Sequence, residues 1–134
     1  MKLKIKKFNR FSDTTGSLVP FYINKHCKNF KLKRFFFVYG KIKYPRADHA
    51  HKKCNQILIP INGKVKVEIT NKKNKKKRYI NSLRRKNFLY VPKKNWIKLN
   101  FLEKNSILLT LCDVKYDKKE YIQNKNKFLK IAKK

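Results

Sequence analysis

Apolar and polar residues alternate with a period of two along most of the chain, which is the pattern of strands that bury one face. The first such segment is LKIKKF at residues 3–8, and the most regular is KVKVEIT at 64–70. Between them, KRFFFVYG at 33–40 is a continuous aromatic run, which predicts a strand buried on both faces. Further strands are predicted at SLVPFYI (17–23), QILIPI (56–61), RYINSL (78–83), NFLYVP (87–92), NWIKLNFL (95–102) and SILLTLCDV (106–114).

The segments between these strands carry turn signals. DTTG follows the first strand, Asn62-Gly63 predicts a two-residue type I′ hairpin between QILIPI and KVKVEIT, and NKKNKKK predicts a charged hairpin tip. Only the tail from Asp117 has a helical pattern, because Asp117 and Glu120 have capping-box spacing. Its apolar residues are Tyr121, Ile122, Phe128, Leu129 and Ile131. The pattern predicts one all-β domain over residues 1–134, a sandwich or barrel with a short C-terminal helix.

The charge balance bears on the choice of partner. A net charge of +31 suggests a polyanion, but only six of the 38 basic residues are Arg and the other 32 are Lys. Lys, Asn and Ile dominate together, as the coding bias of an A/T-rich genome would produce. Because specific readers of nucleic acid use Arg for bidentate contacts, we expect no specific nucleic-acid partner. A basic nucleic-acid-binding barrel that depends on Arg84 and Arg85 remains an alternative.

The cysteines and the N-terminus indicate a compartment. Cys27, Cys54 and Cys112 form no C-x-x-C pair, so we expect small buried thiols in a reducing cytosol. The N-terminus has charges without an apolar h-region, and no apolar run approaches a membrane span. The expectation is a cytoplasmic protein that does not contact membranes.

The segment PRADHAHKKCNQILIPING, residues 45–63, contains two of the three histidines. Residues i and i+2 of a strand share a face, so His49 and His51 project the same way and Ala50 projects the other way. A zinc site, a nucleic-acid surface and a catalytic acid/base pair are all compatible with this spacing.

The spacing around the histidines is similar to the first metal motif of the cupin barrels. That motif reads His-x-His, four residues, an acidic ligand, six residues and Gly, and here Gln56 occupies the acidic position while Gly63 keeps the frame. The second cupin motif falls on Lys86, Pro92, Lys94 and Ile97, with Ile97 in place of its histidine. Because two of four ligands are replaced, we expect no metal cofactor.

The chain resembles, nearly end to end, the cupin-fold sugar-nucleotide 3,4-ketoisomerases that act on dTDP-4-dehydro-6-deoxyglucose. The matching segments are DTTGSLVPF, KRFFFVYG, PRADHAHKKCNQILIPING, FLYVPKKNW and YDKKEYI. The resemblance implies a homodimeric jelly-roll barrel that needs no metal or other cofactor. It also implies an isomerase that forms a dTDP-3-dehydro-6-deoxyhexose for the deoxyamino sugars of surface glycans such as O-antigen. Exchange of the LKIKKF strand, which has no obvious local partner, would suit a dimer.

The same resemblance assigns roles to individual residues. His49 and His51 would transfer protons through an enediol, and the cationic protein should keep both rings neutral. Arg46 and Arg34 would bind the pyrophosphate. Gln56 would hold a sugar hydroxyl or bond within the barrel. Tyr90 and Trp96 match lumen-lining or base-stacking positions, although core packing is an equal alternative.

Two departures from the family motif keep a second function open. Phe36 and Phe37 stand where the family has a pair of tyrosines, the first of which assists proton transfer, and Ala47 replaces a glycine. A non-catalytic cupin that binds a nucleotide sugar is therefore the alternative to the isomerase.

Overall fold

Two antiparallel five-stranded sheets form the structure, a computed structural model that describes residues 2–79 and 87–132. The first sheet has the spatial order β1 (Lys4–Lys7), β9 (Asn87–Val91), β6 (Gln56–Asn62), β11 (Ser106–Cys112) and β4 (Arg34–Gly40). The second has the order β12 (Tyr121–Ile122), β5 (Arg46–His51), β10 (Trp96–Phe101), β7 (Val65–Thr70) and β8 (Lys76–Tyr79). A separate hairpin joins β2 (Phe11–Asp13) to β3 (Gly16–Leu18). The other elements are helix α1 (Ile23–His26), a 3₁₀ turn (Lys118–Glu120) and helix α2 (Lys125–Ala132).

The two sheets face each other across an apolar lumen, which confirms the predicted jelly-roll barrel. Each sheet contributes alternate residues of its strands, as the period-two pattern requires. The buried lumen residues are Leu58, Val65, Val67, Ile69, Leu89, Val91, Ile97, Leu99, Phe101 and Leu108.

The segment around Asn62-Gly63 is not the predicted hairpin. Strand β6 belongs to the first sheet and β7 to the second, so the turn carries the chain from one sheet to the other. Only Gly63 has positive φ, whereas a type I′ turn needs it at both positions. A Cβ on Gly63 would lie 2.3 Å from Oγ of Ser106, so the close approach of strand β11 also requires glycine there. The Asn-Gly pair correctly predicts a turn, but it does not show which strands pair with β6 and β7.

Strand β4 is buried on one face only, so the prediction of a strand buried on both faces was wrong. It is the last strand of the first sheet, and Phe35, Phe37 and Tyr39 project outward with exposed fractions of 57%, 47% and 72%. The intervening Phe36 and Val38 pair with Thr110 and Leu108 of β11, which face the lumen. The aromatic run therefore presents one apolar stripe, Phe35–Phe37–Tyr39, on the outer face of the first sheet.

The N-terminal region departs from the prediction in two ways. Strand β1 pairs with β9 of its own chain, so the LKIKKF segment has a partner that is distant in sequence and is not left to pair with a second subunit. The strand predicted over 17–23 ends at Leu18, and residues 23–26 form one helical turn instead.

The DTTG turn is confirmed, because the backbone N–H and the hydroxyl of Thr15 both donate to the Asp13 carboxylate and close the turn. Phe11 and Leu18 remain exposed on the resulting β2–β3 hairpin.

The C-terminal helix begins at Lys125 rather than near Asp117. Asp117 caps only the 3₁₀ turn, where its carboxylate accepts from the Lys119 N–H, and the chain then adds strand β12 to the second sheet. Helix α2 covers the outer face of that sheet and packs Phe128 against Ala50, Trp96 and Ile122. Within residues 2–79 and 87–132, no helix has the length and apolarity to cross a membrane. The predicted RYINSL strand is described only up to Tyr79, and Arg84, Arg85 and Lys86 lie outside the described residues.

Candidate active site

Strand β5 brings the two histidines together on the lumen side of the second sheet. Ala50 is buried on the outer face beneath α2, so His49 and His51 on either side of it face inward, as predicted. Their ring centroids lie 4.9 Å apart at an interplanar angle of 88°. His51 is 2% exposed, whereas His49 is half-buried. The His51 ring is thus sealed from solvent, whereas part of the His49 ring stays accessible.

A bulge in β5 precedes the histidines. Ala47 and Asp48 both have left-handed backbone angles, with φ of 63° and 56°, and the register against β10 shifts by one residue at this point. The shift pairs Arg46 with Leu99 and Ala47 with Lys98. Ala47 packs against the lumen cluster, while Arg46 is exposed. The Asp48 carboxylate accepts from Nε1 of Trp96 at 2.9 Å, which fixes the bulge.

Glu120 is the first of two residues of the candidate site that the sequence did not predict. Its carboxylate accepts a hydrogen bond from Nδ1 of His51, and both side chains are buried. Its other oxygen accepts from the backbone N–H groups of Lys53 and Cys54, at 3.3 and 3.4 Å. The bond on Nδ1 leaves Nε2 of His51 buried and without a partner among the described residues, facing the lumen. The YDKKEYI segment carries the signal, but the spacing of its Asp117 and Glu120 also matches a capping box.

Burial lowers the pKa of both imidazoles. The pKa of His49 falls to about 4, first because the ring is desolvated and then because His51 lies beside it. The pKa of His51 is also lowered, since desolvation outweighs the opposing hydrogen bond to Glu120. Both rings are neutral at physiological pH, as expected, but the main cause is burial and not the lysine-rich surface. A neutral imidazole can accept a proton.

Arg34 lies at the start of β4 within the site. One Nη donates to the Tyr121 hydroxyl at 2.9 Å and contacts Sγ of Cys112 at 3.8 Å. Its guanidinium stacks 5.1 Å from the centroid of Phe36. Tyr121 is a second residue that was not anticipated, because its ring centroid lies 5.0 Å from His49 and 4.5 Å from His51. Burial raises the pKa of the Tyr121 phenol, so it keeps its proton at neutral pH.

The remaining predicted residues fall into two groups. Gln56 is buried at the start of β6 and donates from Nε2 to Sγ of Cys112 at 3.6 Å, so it bonds within the barrel. Arg46 is exposed at the start of β5 and is available to a ligand at the mouth. Gln56 is therefore held inside the barrel, whereas Arg46 is accessible from solvent.

Tyr90 and Trp96 do not line the lumen, so their predicted substrate-binding positions are corrected to packing positions. Tyr90 lies on the outer face of the first sheet among Phe30, Ile57 and Leu111, and burial raises its pKa to about 12. Trp96 packs against Phe128 under helix α2, with ring centroids 5.8 Å apart. Strand parity explains both results, because the neighbouring Leu89, Val91 and Ile97 take the lumen positions.

One group of side chains in the described ranges has the spacing of a metal site. His51, Cys54 and Glu120 are all buried, and their donor atoms lie within 4.8 Å of one another. However, His51 and Glu120 already bond to each other, and Glu120 also accepts two backbone N–H groups. Gln56 supplies an amide where a carboxylate ligand would be needed. The donor set is thus satisfied by hydrogen bonds and fits a divalent metal poorly.

The chain is similar to proteins of known family and structure. The family described as FdtA: WxcM-like, C-terminal, matches residues 1–133. The chain belongs to this family. It is 30% identical over 135 residues to the TDP-4-oxo-6-deoxy-alpha-D-glucose-3,4-oxoisomerase of Aneurinibacillus thermoaerophilus, covering 99% of this chain and 95% of that protein. This member of the family is accordingly an isomerase, as the sequence predicted.

Solved structures of similar proteins have the same fold. A 3,4-ketoisomerase from Helicobacter canadensis superposes with a TM-score of 0.91 at 30% identity, over 100% of this chain and 99% of that one. A mutant of the 3,4-ketoisomerase QdtA from Thermoanaerobacterium thermosaccharolyticum, in complex with TDP-4-keto-6-deoxyglucose, superposes with a TM-score of 0.89. It is 26% identical, over 98% of this chain and 94% of that one. The jelly-roll barrel is thus the family fold.

Proposed function

We propose that this chain is a sugar-nucleotide 3,4-ketoisomerase that converts dTDP-4-dehydro-6-deoxyglucose to a dTDP-3-dehydro-6-deoxyhexose. The observation that carries the proposal is the buried His51 ring, held at Nδ1 by Glu120 with Nε2 facing the lumen beside His49. The relatives support the substrate class, since the Aneurinibacillus protein is a TDP-4-oxo-6-deoxyglucose oxoisomerase and the QdtA mutant is bound to that sugar nucleotide.

The reaction moves a ketone from C4 to C3 without net oxidation. A base removes the C3 proton, the electrons form an enediolate, and a proton is delivered to C4. Because Glu120 keeps the proton on Nδ1, Nε2 of His51 holds a lone pair and is suited to accept the C3 proton. The carboxylate then stabilises the imidazolium that forms, as in other carboxylate–histidine pairs.

His49 and Tyr121 are placed to move the remaining protons. His49 is neutral, lies against His51 and is the more exposed of the two rings, so it can relay a proton between the O3 and O4 oxygens. Tyr121 carries a phenolic proton close to both rings, whereas Phe36 has no hydroxyl to offer. We propose Tyr121, rather than Tyr90, as the phenol that serves the reaction.

The cations at the mouth suit the nucleotide part of the substrate. Arg46 is exposed at the rim, and a guanidinium fork matches phosphate oxygens. Arg34 lies deeper and already bonds to Tyr121, so its role would be to hold that phenol and contribute positive charge to the pocket.

We also propose that the protein acts as a homodimer. The stripe of Phe35, Phe37 and Tyr39 and the exposed Phe11 and Leu18 of the β2–β3 hairpin leave apolar surface that a second copy of the chain would cover. The β2–β3 hairpin, rather than β1, is the element free to reach a partner, because β1 pairs with β9. Light scattering at micromolar concentration should report a dimer, and a Phe37→Lys variant should shift it toward monomer. Monomer alone for the unmodified protein would contradict this proposal.

The test of the reaction uses deuterium. We expect that incubation with dTDP-4-dehydro-6-deoxyglucose in D₂O places deuterium in the sugar ring, and that an added aminotransferase traps a 3-amino product identifiable by NMR. His49→Asn and His51→Asn should each lower kcat by about two orders of magnitude while TDP still binds, because the titrating nitrogen is lost. If the unmodified protein binds the nucleotide sugar but never exchanges its C3 proton, the protein is a nucleotide-sugar-binding cupin and not the enzyme.

A further inference from the structure

The connection between β5 and β6, residues 52–55, supplies two donors of the candidate site although it lies outside both strands. It crosses from the second sheet to the first. The backbone N–H groups of Lys53 and Cys54 within it both donate to the Glu120 carboxylate, which also accepts from Nδ1 of His51. The orientation of that carboxylate therefore depends on where this connection lies.

Asn55 ends the connection and is tied to Asp113, which follows the last residue of β11. One carboxylate oxygen of Asp113 accepts from the backbone N–H of Asn55 at 2.8 Å, and the other accepts from its side-chain Nδ2 at 2.7 Å. The two residues continue the register in which Gln56 pairs with Cys112, and the Asp113 N–H donates to the Asn55 carbonyl at 3.4 Å. Asn55 and Asp113 thus form a clamp at this strand junction, held by two charge-assisted bonds.

The side-chain oxygen of Asn55 binds a third segment, the connection between β9 and β10. Oδ1 of Asn55 accepts from the backbone N–H of Lys93 at 2.8 Å, and the next N–H, that of Lys94, donates to the His51 carbonyl at 2.7 Å. His51 is therefore tied at two points, at its carbonyl by Lys94 and at its ring by Glu120. Both ties lead back to Asn55, one through Lys93 and the other through the preceding N–H groups of its own connection.

An amide suits position 55 because it is a donor and an acceptor at once. Nδ2 of Asn55 faces a carboxylate and Oδ1 faces an N–H, so these neighbours accept only one orientation of the amide. Asn55 and Asp113 are both partly buried, so a group that loses its partner there is only partly compensated by water.

We propose that Asn55, clamped by Asp113, is a positioning residue for the His51–Glu120 pair. It acts through the two N–H groups of its connection, which occupy one oxygen of Glu120 and leave the other to hold the proton on Nδ1 of His51. Nε2 of His51 then keeps its lone pair. The effect on turnover rests on the proposed ketoisomerase function, whereas the effect on the tautomer of the ring does not.

Asp113→Asn should break the clamp whichever way the new amide turns. If its oxygen stays on the backbone N–H of Asn55, its NH₂ faces Nδ2 of Asn55, and turning it over sets the NH₂ against the backbone N–H. If the Asn55 amide turns instead, its own NH₂ faces the Lys93 N–H. Every arrangement leaves two donors facing each other. Because small displacements near reacting groups are costly, we expect kcat to fall by about tenfold with a smaller change in KM.

The double variant Asn55→Asp with Asp113→Asn should rescue the clamp with its partners exchanged. The carboxylate introduced at position 55 accepts from the Lys93 N–H and from the NH₂ introduced at position 113, while the oxygen of that amide accepts from the backbone N–H of residue 55. All three bonds return with the same net charge. Asn55→Asp alone places two carboxylates together and should be at least as harmful as Asp113→Asn.

The experiment reads the tautomer of His51 by NMR of the full chain with ¹⁵N-labelled histidine, alongside turnover and a thermal melt. Nδ1 should carry the proton in the unmodified protein, Asp113→Asn should mix the two tautomers, and the double variant should restore the Nδ1 form. Glu68→Gln is the matched control, a carboxylate-to-amide change that weakens the ion pair with Arg78 and should leave the tautomer unchanged. A merely structural role would lower the melting temperature of Asp113→Asn without changing the tautomer, and that result, or a failed rescue, would overturn the proposal.

Hydrogen exchange of the unmodified protein decides the proposal even if Asp113→Asn folds poorly. The backbone N–H groups of Asn55 and Lys93 should exchange slowly and open together with that of Cys54, whereas fast exchange of the first two beside a protected Cys54 would overturn the coupling. The tautomer is read without substrate. A tautomer that responds to the clamp in a protein that never turns over the sugar nucleotide would reject the proposed function alone, and an unchanged tautomer would reject the clamp whatever the turnover.

Discussion

Replacement of Glu120 by Gln should disable His51 with little change in the size of the side chain. In the native protein one carboxylate oxygen accepts from Nδ1 of His51 and the other accepts from the N–H groups of Lys53 and Cys54. A Gln side chain has only one oxygen. Whichever way the amide turns, its NH₂ faces either two N–H donors or the ring nitrogen.

The favourable orientation keeps the oxygen on the two backbone donors and presents NH₂ to Nδ1. That orientation forces the proton of His51 onto Nε2, the nitrogen proposed to accept the C3 proton, so the base is in the wrong tautomer. General-base catalysis is worth about 10²–10⁴-fold, and we therefore expect kcat to fall by at least about 100-fold, or about 2.7 kcal/mol in activation free energy. KM should change little, because the nucleotide-binding residues are untouched.

The assay is steady-state turnover with the product trapped by an aminotransferase, together with a thermal melt. Asp117→Asn is the matched control, since it changes a carboxylate of the same segment that caps the 3₁₀ turn and lies outside the site. Turnover of Glu120→Gln within threefold of the native rate would refute the assigned role, and an equal loss in Asp117→Asn would assign the effect to local unfolding.

Four further results are expected from the same site. Arg46→Ala should raise KM for the dTDP-sugar with kcat nearly unchanged, because a contact to a remote phosphate is present in both the ground state and the transition state. A fall in kcat with KM unchanged would contradict this prediction. EDTA should not change turnover, because hydrogen bonds already satisfy the His51–Cys54–Glu120 group. Activity that is lost with EDTA and restored by one divalent ion would show that the enzyme needs a metal. The free energy of unfolding should fall by about 2 kcal/mol as pH drops from 7 toward 4, because the pKa of His49 is near 6.5 in the unfolded chain and about 4 in the folded protein. This figure is discounted because the ring is partly exposed. Denaturant titrations in which His49→Asn shows the same dependence of unfolding free energy on pH would contradict it. Ala47→Gly should leave the free energy of unfolding unchanged or raise it by about 1 kcal/mol, because the φ of 63° at this position favours glycine. The control Ala50→Gly, at a buried position, should lower it by about 1 kcal/mol or more. Equal losses in thermal melts of the two variants would show that Ala47 is not strained.

The elements of the fold could be predicted because strand formation depends on local alternation. Which sheet a strand joins could not, because pairing joins residues far apart in the chain. QILIPI and KVKVEIT show this clearly: their connecting turn is correct, yet β6 pairs with β9 and β11, and β7 pairs with β8 and β10. The faces of β4 were misjudged for a similar reason, since its aromatic run does not reveal that the N-terminal segment covers the outer face of the neighbouring strands and leaves that of β4 exposed.

The histidine face could be predicted from parity, and the partner of His51 could not. Glu120 is separated from His51 by 69 positions, and its local spacing from Asp117 matched a capping box equally well. Parity could have corrected Trp96, because Ile97 aligns with an inward cupin ligand and its neighbour must then point outward. The bulge at Asp48 was hidden by the replacement of the family glycine with Ala47, which removed the usual signal for a left-handed residue.

The distribution of carboxylates has a consequence for how a lysine-rich protein tolerates its own composition. Of the seven acidic residues, six accept hydrogen bonds or form ion pairs: Asp13, Asp48, Glu68, Asp113, Asp117 and Glu120. Three of these six, Asp48, Asp113 and Glu120, secure the bulge, the strand junction and the His51 ring around the candidate site. Exposed lysines repel one another only over about a Debye length, so salt hides much of the surface charge, whereas buried acid–donor pairs are screened far less. A high lysine content is therefore tolerated on the outside of this barrel, and each carboxylate at the site marks a position where a lysine would leave a hydrogen-bond donor without its partner.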